Sequence, residues 1–71
     1  MSVVKVIELI GASPNSWEEA TRNAVAKAAK TVRNIVGVEL VGQTAVVEGG
    51  RITQYRADVK IAFVVEEVTE G

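Results

Sequence analysis

The sequence of 71 residues contains no cysteine and no histidine, and it has one proline, one tryptophan, one tyrosine and one phenylalanine. Without cysteine, neither a disulfide nor a thiolate metal site can stabilise the fold, and the redox compartment is left open. Without histidine, the most common metal ligand and the most common general base near neutral pH are excluded. With so few aromatic rings, large side chains supply little of a hydrophobic core.

The sequence also lacks an excess of charge of either sign. Its 8 Lys and Arg residues and 9 Asp and Glu residues give a formal net charge of −1. No run of basic residues would follow a phosphate backbone, so nothing indicates a nucleic-acid partner. Lys5 and Glu8 interrupt the apolar N-terminal stretch, which therefore resembles neither a signal peptide nor a membrane span. We expect a cytoplasmic protein without a membrane partner.

Apolar residues make up 48% of the chain, which argues against disorder. We expect a single domain over residues 1–71, near the lower size at which one core supports a fold alone. Because the core lacks disulfides and large rings, association between subunits is expected to complete it.

A long β-hairpin over residues 36–65 dominates the predicted fold. Its turn is expected at Gly49 and Gly50, because glycine accepts the positive φ angles of tight hairpin turns. In the second arm, residues 51–65, odd positions from Tyr55 are apolar and even positions are polar. This pattern is typical of a strand with one apolar face. At about 3.4 Å per residue this arm would be roughly 50 Å long, too long for a small domain to cover from within.

The residues before the hairpin predict one strand and one helix. The strand is expected from Val3 to Ile10 and is ended by Gly11. Ser16 and Glu19 form a capping-box pattern, which predicts a helix from Ser16 to about residue 34. Its apolar stripe, with spacings of three and four, consists of Trp17, Ala20, Ala24, Ala28, Val32 and Ile35.

The predicted fold belongs to the α+β class. The second strand is expected to follow Gly37 and to run to about Glu48, and the acidic tail over residues 66–71 is expected to fray. The order β-α-β-β predicts an antiparallel three-stranded sheet wrapped around one helix. Trp17 is interpreted as a core residue of the helix stripe rather than as a stacking platform for a ligand.

The sequence contains no recognisable catalytic set, so we do not expect an enzyme. Ser-His-Asp and Cys-His arrangements are impossible here, and Gly49-Gly50 lacks the spacing of a phosphate-binding loop. An enzyme that uses Arg56, Asp58 and Lys60 is an alternative from another functional class, but no motif supports it.

Polar side chains on one face of the third strand form the main candidate site, and they are Gln54, Arg56, Asp58 and Lys60. Alternating charges at this spacing suit salt bridges across a subunit interface, although they also protect an exposed edge from aggregation. Glu39 and Glu48 are candidates to hold Mg²⁺ or Ca²⁺ together with Asp58, because these cations take oxygen ligands. The alternative is that these carboxylates form structural salt bridges.

Three segments resemble the dodecin family: K-V-I-E-L-I-G-A-S-P-N-S-W-E-E-A at residues 5–20, T-V-R-N-I at residues 31–35 and Q-Y-R-A-D-V-K-I-A-F at residues 54–63. The resemblance covers about residues 3–65. It implies a small βαββ protein whose sheet wraps the helix and which assembles with itself into a hollow dodecamer of cubic symmetry.

The resemblance also implies where a flavin would bind. Flavin-binding dodecins stack a Trp of the second strand on the isoalloxazine ring, and Gly37 occupies that position here. They place a Gln after the Tyr of the third strand, where this chain has Arg56, while Gln54 precedes Tyr55. The chain is similar to members without the Trp, some of which bind calcium.

These observations predict a non-catalytic dodecameric shell that binds or stores a small ligand or a cation such as Ca²⁺ or Mg²⁺, with a degenerate flavin site. The alternative is a dodecin that sequesters FMN or riboflavin in an altered site containing Gly37, Gln54 and Arg56.

Overall fold

The computed structural model describes the backbone of residues 2–67 and the side chains of residues 3–65. Strand β1 comprises Ser2–Ser13, helix α1 Trp17–Ala29, strand β2 Ile35–Glu48 and strand β3 Arg51–Glu67. The predicted order β-α-β-β is therefore confirmed. Residues 66 and 67 belong to β3, so the third strand ends later than predicted. The remainder of the expected frayed tail, residues 68–71, lies outside the described residues.

The three strands form one antiparallel sheet in the order β1-β3-β2, with β3 in the centre. Ile61 of β3 lies opposite Ile7 of β1 and Val38 of β2, and directly opposite residues share a face of the sheet. Helix α1 packs on this face, mainly against β1 and β3. The long strands make the chain elongated, with extents of 62 × 19 × 13 Å.

The core consists of three helix alanines and three residues of the central strand: Ala20, Ala24, Ala28, Ala57, Val59 and Ile61. Such a small core requires the helix to lie close to the sheet. A Cβ atom on Gly11 would lie 2.1 Å from the carbonyl oxygen of Ala20, so glycine is needed there. The prediction that Gly11 ends the first strand is wrong, because β1 passes beneath the helix and continues to Ser13.

The predicted start of the helix is confirmed. Ser16 is the N-cap residue in an extended conformation, and the Glu19 backbone N–H donates to its Oγ at 3.0 Å. This bond satisfies one of the four N–H groups that a helix start leaves without an intrahelical partner.

The predicted end of the helix is wrong, because α1 stops at Ala29 rather than near residue 34. The chain must return from the helix to the edge of the sheet, and Asn34 makes this reversal with a φ of 62°. The Asn34 carbonyl then accepts the Val64 N–H at 3.0 Å. As a result β2 begins at Ile35, two residues before Gly37. Val32 and Ile35 continued the helical spacing in the sequence, although neither lies in the helix.

The predicted hairpin turn is confirmed at Gly49 and Gly50, whose φ angles of 59° and 76° suit a tight two-residue connection. Helix α1, with 13 residues, is about 20 Å long and covers only part of a hairpin whose β3 has 17 residues. Many large apolar side chains are exposed, on the uncovered parts of the helix side and on the opposite side of the sheet, among them Val4, Val6, Ile10, Val38, Leu40, Val47 and Ile52. Within residues 2–67, no helix has the length and apolar character needed to cross a membrane.

Candidate functional site

The sheet face that points away from α1, here called the outer face, carries most of the residues predicted to bind ligands. The register of the strands places on it Val6, Glu8 and Ile10 of β1, Gln54, Arg56, Asp58, Lys60 and Ala62 of β3, and Gly37, Glu39, Gly42 and Thr44 of β2. Charged side chains therefore occupy its middle, and apolar side chains lie beyond them on β1.

Two of the predicted flavin-site residues share the outer face but lie far apart. Gly37 pairs with Ala62, whereas Arg56 pairs with Thr44 of β2 and Ala12 of β1. Ala62 lies six positions after Arg56 on β3, a distance of about 20 Å. A single chain therefore does not bring Gly37 and Arg56 into one pocket.

Gly37 lies in a shallow pocket of about 530 Å³ lined by Val6, Gly37, Val38, Glu39, Lys60 and Ala62. A Cβ atom on Gly37 would meet nothing within 4 Å, and its φ angle is not positive. Neither the backbone nor the neighbouring atoms therefore require glycine at this position. A larger side chain has room there in the isolated chain.

Gln54 and Arg56 contact each other. The Arg56 Nε–H donates a hydrogen bond of 2.8 Å to Gln54 Oε1. The amide oxygen of Gln54 is therefore occupied by the guanidinium in this structure, although an oxygen with two lone pairs can still accept a second bond.

The three predicted cation ligands do not come together in one chain. Glu39 lies opposite Lys60, Asp58 lies opposite Gly42, and Glu48 lies opposite Arg51 at the hairpin turn. Glu48 lies nine positions after Glu39 on β2, which corresponds to about 30 Å. In the part of the chain that the structure describes, no three carboxylates are close enough to hold a metal ion.

Glu8 is a site residue that the sequence analysis did not include. It lies on β1 opposite Lys60, on the same face as Asp58, and its carboxyl group lies beside that of Asp58. Two carboxyl groups can share a hydrogen bond only when one is protonated. Such a bond and the negative charge of Asp58 raise the pKa of Glu8 above its ordinary value, while Lys60 opposes the shift.

Two sequence and structural signals mark this pair of carboxyl groups. Asp58 Oδ1 is buried and has no hydrogen-bond partner among the described residues. In the sequence, Glu8 alternates with Val6 and Ile10, and this period of two places it on the outer face. The sequence analysis treated Glu8 only as an interruption of an apolar run.

Trp17 lies on the other side of the sheet and contacts Tyr55. The two rings pack edge to face, with centroids 4.8 Å apart and planes at 78°. The Trp17 indole N–H donates to the carbonyl oxygen of Thr44 at 2.8 Å. Trp17 is half-buried and is not part of the buried core cluster, so its interpretation as a core residue is only partly right.

A polar network stabilises the start of α1. The buried Ser13 hydroxyl donates to Glu19 Oε1 at 2.5 Å, and the Asn15 side-chain amide donates to the same oxygen at 2.9 Å. These two bonds, first that from Ser13, lower the pKa of Glu19 below its ordinary value. These polar groups therefore cap the helix, and we do not interpret them as a reactive site.

The fold and its sequence match a known family. The model of the family described as dodecin matches residues 3–66 of this chain. The chain belongs to the dodecin family. Among curated relatives of this dodecin, the calcium dodecin of Mycobacterium tuberculosis is 42% identical over 64 residues, which are 89% of each chain.

Solved structures show the same fold. A dodecin from Streptomyces coelicolor has a TM-score of 0.89 and 30% identity, covering 94% of this chain and 96% of the other. The structure of the calcium-chelating calcium dodecin of Mycobacterium tuberculosis contains a calcium-binding site. It has a TM-score of 0.81 and 35% identity, covering 99% of this chain and 100% of the other. These likenesses confirm the predicted sheet wrapped around one helix.

Proposed function

We propose that this dodecin is a non-catalytic protein that assembles into a hollow homododecamer and binds or stores a small ligand or cation. The separation of Gly37 from Arg56 carries the proposal, because a ligand site containing both positions must be completed by a second copy. The exposed apolar side chains of a chain with a small core give the physical drive for that association. Nucleic acids and membranes are not among the proposed partners.

The flavin site of this dodecin is proposed to be degenerate. Gly37 offers no ring to stack on a flavin, and stacking of a base on an aromatic side chain contributes about 1–3 kcal/mol. Losing one such contact weakens binding by roughly one to two powers of ten. FMN or riboflavin remains the alternative ligand, held by Gln54 and Arg56 through hydrogen bonds to ring oxygens.

A titration monitored by flavin fluorescence tests this assignment. Because Gly37 has open space around it, Gly37→Trp is expected to create flavin quenching, and Arg56→Gln is expected to add a smaller gain. The wild type is expected to quench weakly. Submicromolar flavin binding by the wild type would show that the alternative is right, and an assembled double variant that leaves flavin unquenched would show that the pocket differs at other positions.

Calcium is the proposed cation, because a relative that is 42% identical is a calcium dodecin. The proposed ligands are Glu39, Glu48 and Asp58, contributed by more than one copy because one chain holds them apart. Calorimetric titration with Ca²⁺ and with Mg²⁺ tests this. Asp58→Asn is expected to weaken Ca²⁺ binding at least tenfold, whereas Glu18→Gln on the exposed helix is expected to leave it unchanged. Equal affinities of both variants would contradict the assignment.

A further inference from the structure

A groove lies between α1 and β2 on the side of the sheet that the helix faces. Leu40 lies opposite the buried Val59, so it points to the helix side, yet it is 46% exposed. The reason is that α1 packs mainly on β1 and β3 and leaves most of β2 uncovered. The groove has a volume of about 380 Å³ and is lined by Trp17, Glu18, Thr21, Arg22, Leu40 and Gln43.

The floor of the groove is apolar and is held in place by hydrogen bonds. Trp17 and Leu40 supply its apolar surface. The Trp17 indole N–H donates to the carbonyl oxygen of Thr44, and the indole ring packs against Tyr55. The Thr21 hydroxyl donates to the Trp17 carbonyl oxygen at 3.0 Å. Because both donors are already used, the floor offers a ligand mainly apolar contact, including contact with an aromatic ring.

The rim of the groove carries one charge of each sign. Glu18 and Arg22 lie one helical turn apart and form an ion pair of 3.1 Å, and both side chains are about three-quarters exposed. An exposed ion pair contributes little to stability, so both groups can take new partners at small cost. A ligand with a single charge pairs with one of these side chains only. A ligand that carries both charges close together pairs with both at once.

A free α-amino acid has this arrangement of charges. Its ammonium and carboxylate groups are attached to one carbon atom, so both reach two rim groups that are 3.1 Å apart. Its side chain is attached to the same carbon atom and can point to the floor. Pockets for small ligands have volumes from about 300 Å³ upward, so a groove of about 380 Å³ suits a single molecule of this size.

We propose that the groove between α1 and β2 binds a free α-amino acid with a large apolar side chain. The carboxylate of the ligand pairs with Arg22, its ammonium group pairs with Glu18, and its side chain packs on Trp17 and Leu40. This site lies on the other side of the sheet from the outer face, so it is separate from the proposed flavin site and shares no residue with the proposed calcium ligands.

The fluorescence of Trp17 tests the site, because Trp17 is the sole tryptophan and lines the groove. L-phenylalanine is titrated into the full-length protein, with excitation at a wavelength that phenylalanine does not absorb. A saturable change in Trp17 emission is expected. 2-Phenylethylamine lacks the carboxylate and 3-phenylpropanoate lacks the ammonium group, so each is expected to bind several-fold more weakly than L-phenylalanine.

Substitutions on the rim assign each charge of the ligand to its partner. Arg22→Gln is expected to remove the preference for L-phenylalanine over 2-phenylethylamine, and Glu18→Gln is expected to remove the preference over 3-phenylpropanoate. Lys27→Gln is the control, because Lys27 is exposed on α1 and does not line the groove. The control is expected to keep both preferences. Rim variants that weaken the binding of all three compounds equally would contradict the assignment.

Sedimentation of the same samples separates this inference from the proposed function. An assembled wild type whose Trp17 emission does not respond to L-phenylalanine would overturn the amino-acid site and leave the proposed assembly standing. Equal affinity of the wild type for all three compounds would also overturn the site. A monomer that binds L-phenylalanine with both expected preferences would support the site and overturn the proposed assembly.

Discussion

Gly11 of β1 and Ala20 of α1 lie so close that a Cβ atom on Gly11 would be 2.1 Å from the Ala20 carbonyl oxygen and 2.8 Å from the Ala24 Cβ. The nearest atom belongs to the helix backbone, so no side-chain rotation relieves the clash. Gly11→Ala is therefore expected to displace the helix and to lower the free energy of unfolding by about 1–3 kcal/mol or more. Urea denaturation at a fixed protein concentration measures this loss.

Gly37→Ala is the matched control for that experiment. A Cβ atom at Gly37 would meet nothing within 4 Å. The substitution is expected to be neutral or to stabilise by about 0.4–1 kcal/mol, because alanine restricts the unfolded chain more than glycine does. Similar losses for Gly11→Ala and Gly37→Ala would show that helix–strand spacing does not explain the requirement for glycine at position 11.

The start of α1 is expected to lose stability in acid. The folded pKa of Glu19 lies below the unfolded value near 4.5, because Ser13 and then Asn15 donate hydrogen bonds to its carboxylate. The resulting stabilisation is present above pH 4.5 and disappears as the pH falls through the folded pKa. Ser13→Ala is expected to reduce this pH dependence more than Asn15→Ala does. Urea midpoints measured from pH 6 down to pH 3 test the order, and an unchanged slope in Ser13→Ala would contradict it.

The carboxyl groups of Glu8 and Asp58 on the outer face are expected to make the fold less stable as the pH rises, whereas Glu19 makes it less stable as the pH falls. The folded pKa of Glu8 lies above the unfolded value near 4.5, so its contribution to stability is present below pH 4.5 and is lost as the pH rises through the folded pKa. Glu8→Gln imitates the protonated form and is not subject to this loss. Its stability relative to the wild type is expected to rise from pH 4 to pH 7, measured by urea midpoints. A relative stability that falls over this range would show that attraction to Lys60 outweighs repulsion by Asp58.

Trp17 is expected to contribute to the stability of the fold through one hydrogen bond and the partial burial of its ring. Trp17→Phe keeps a ring against Tyr55 but removes the donor to the Thr44 carbonyl, so it is expected to cost about 0.5–1.5 kcal/mol. Trp17→Ala is expected to cost more, but less than the roughly 3–5 kcal/mol typical of a fully buried ring. Flavin added to the wild type is expected to leave Trp17 fluorescence unchanged. Loss of ligand binding with little loss of stability would contradict a packing role.

The fold followed from the sequence where the signals were local. Period-two alternation in residues 51–65 predicted β3, paired glycines predicted the turn, and Ser16 with Glu19 predicted the helix start. The strand and helix ends were less predictable. Gly11 looked like a breaker because its role depends on the helix above it. The helix ends at Ala29 although Val32 and Ile35 continue its spacing in the sequence.

The candidate site was predictable residue by residue but not as an arrangement. Alternation correctly placed Asp58 and Lys60 on one face, and the resemblance to dodecins singled out Gly37 and Arg56. Predicting the distances between residues of β2 and β3 requires the register of these strands. That register depends on irregularities in β2 that no local sequence pattern marks. The pairing of Glu8 with Lys60 and its position beside Asp58 depend on the separate register between β1 and β3.

Self-assembly is the central claim, because the proposed ligand sites require a second copy. Sedimentation velocity of the unmodified protein at micromolar concentration tests it most directly. The account predicts one boundary with a mass about twelve times the 7.6 kDa of the chain, unchanged on tenfold dilution. A stable species of 7.6 kDa, or a dimer that does not grow with concentration, would contradict it.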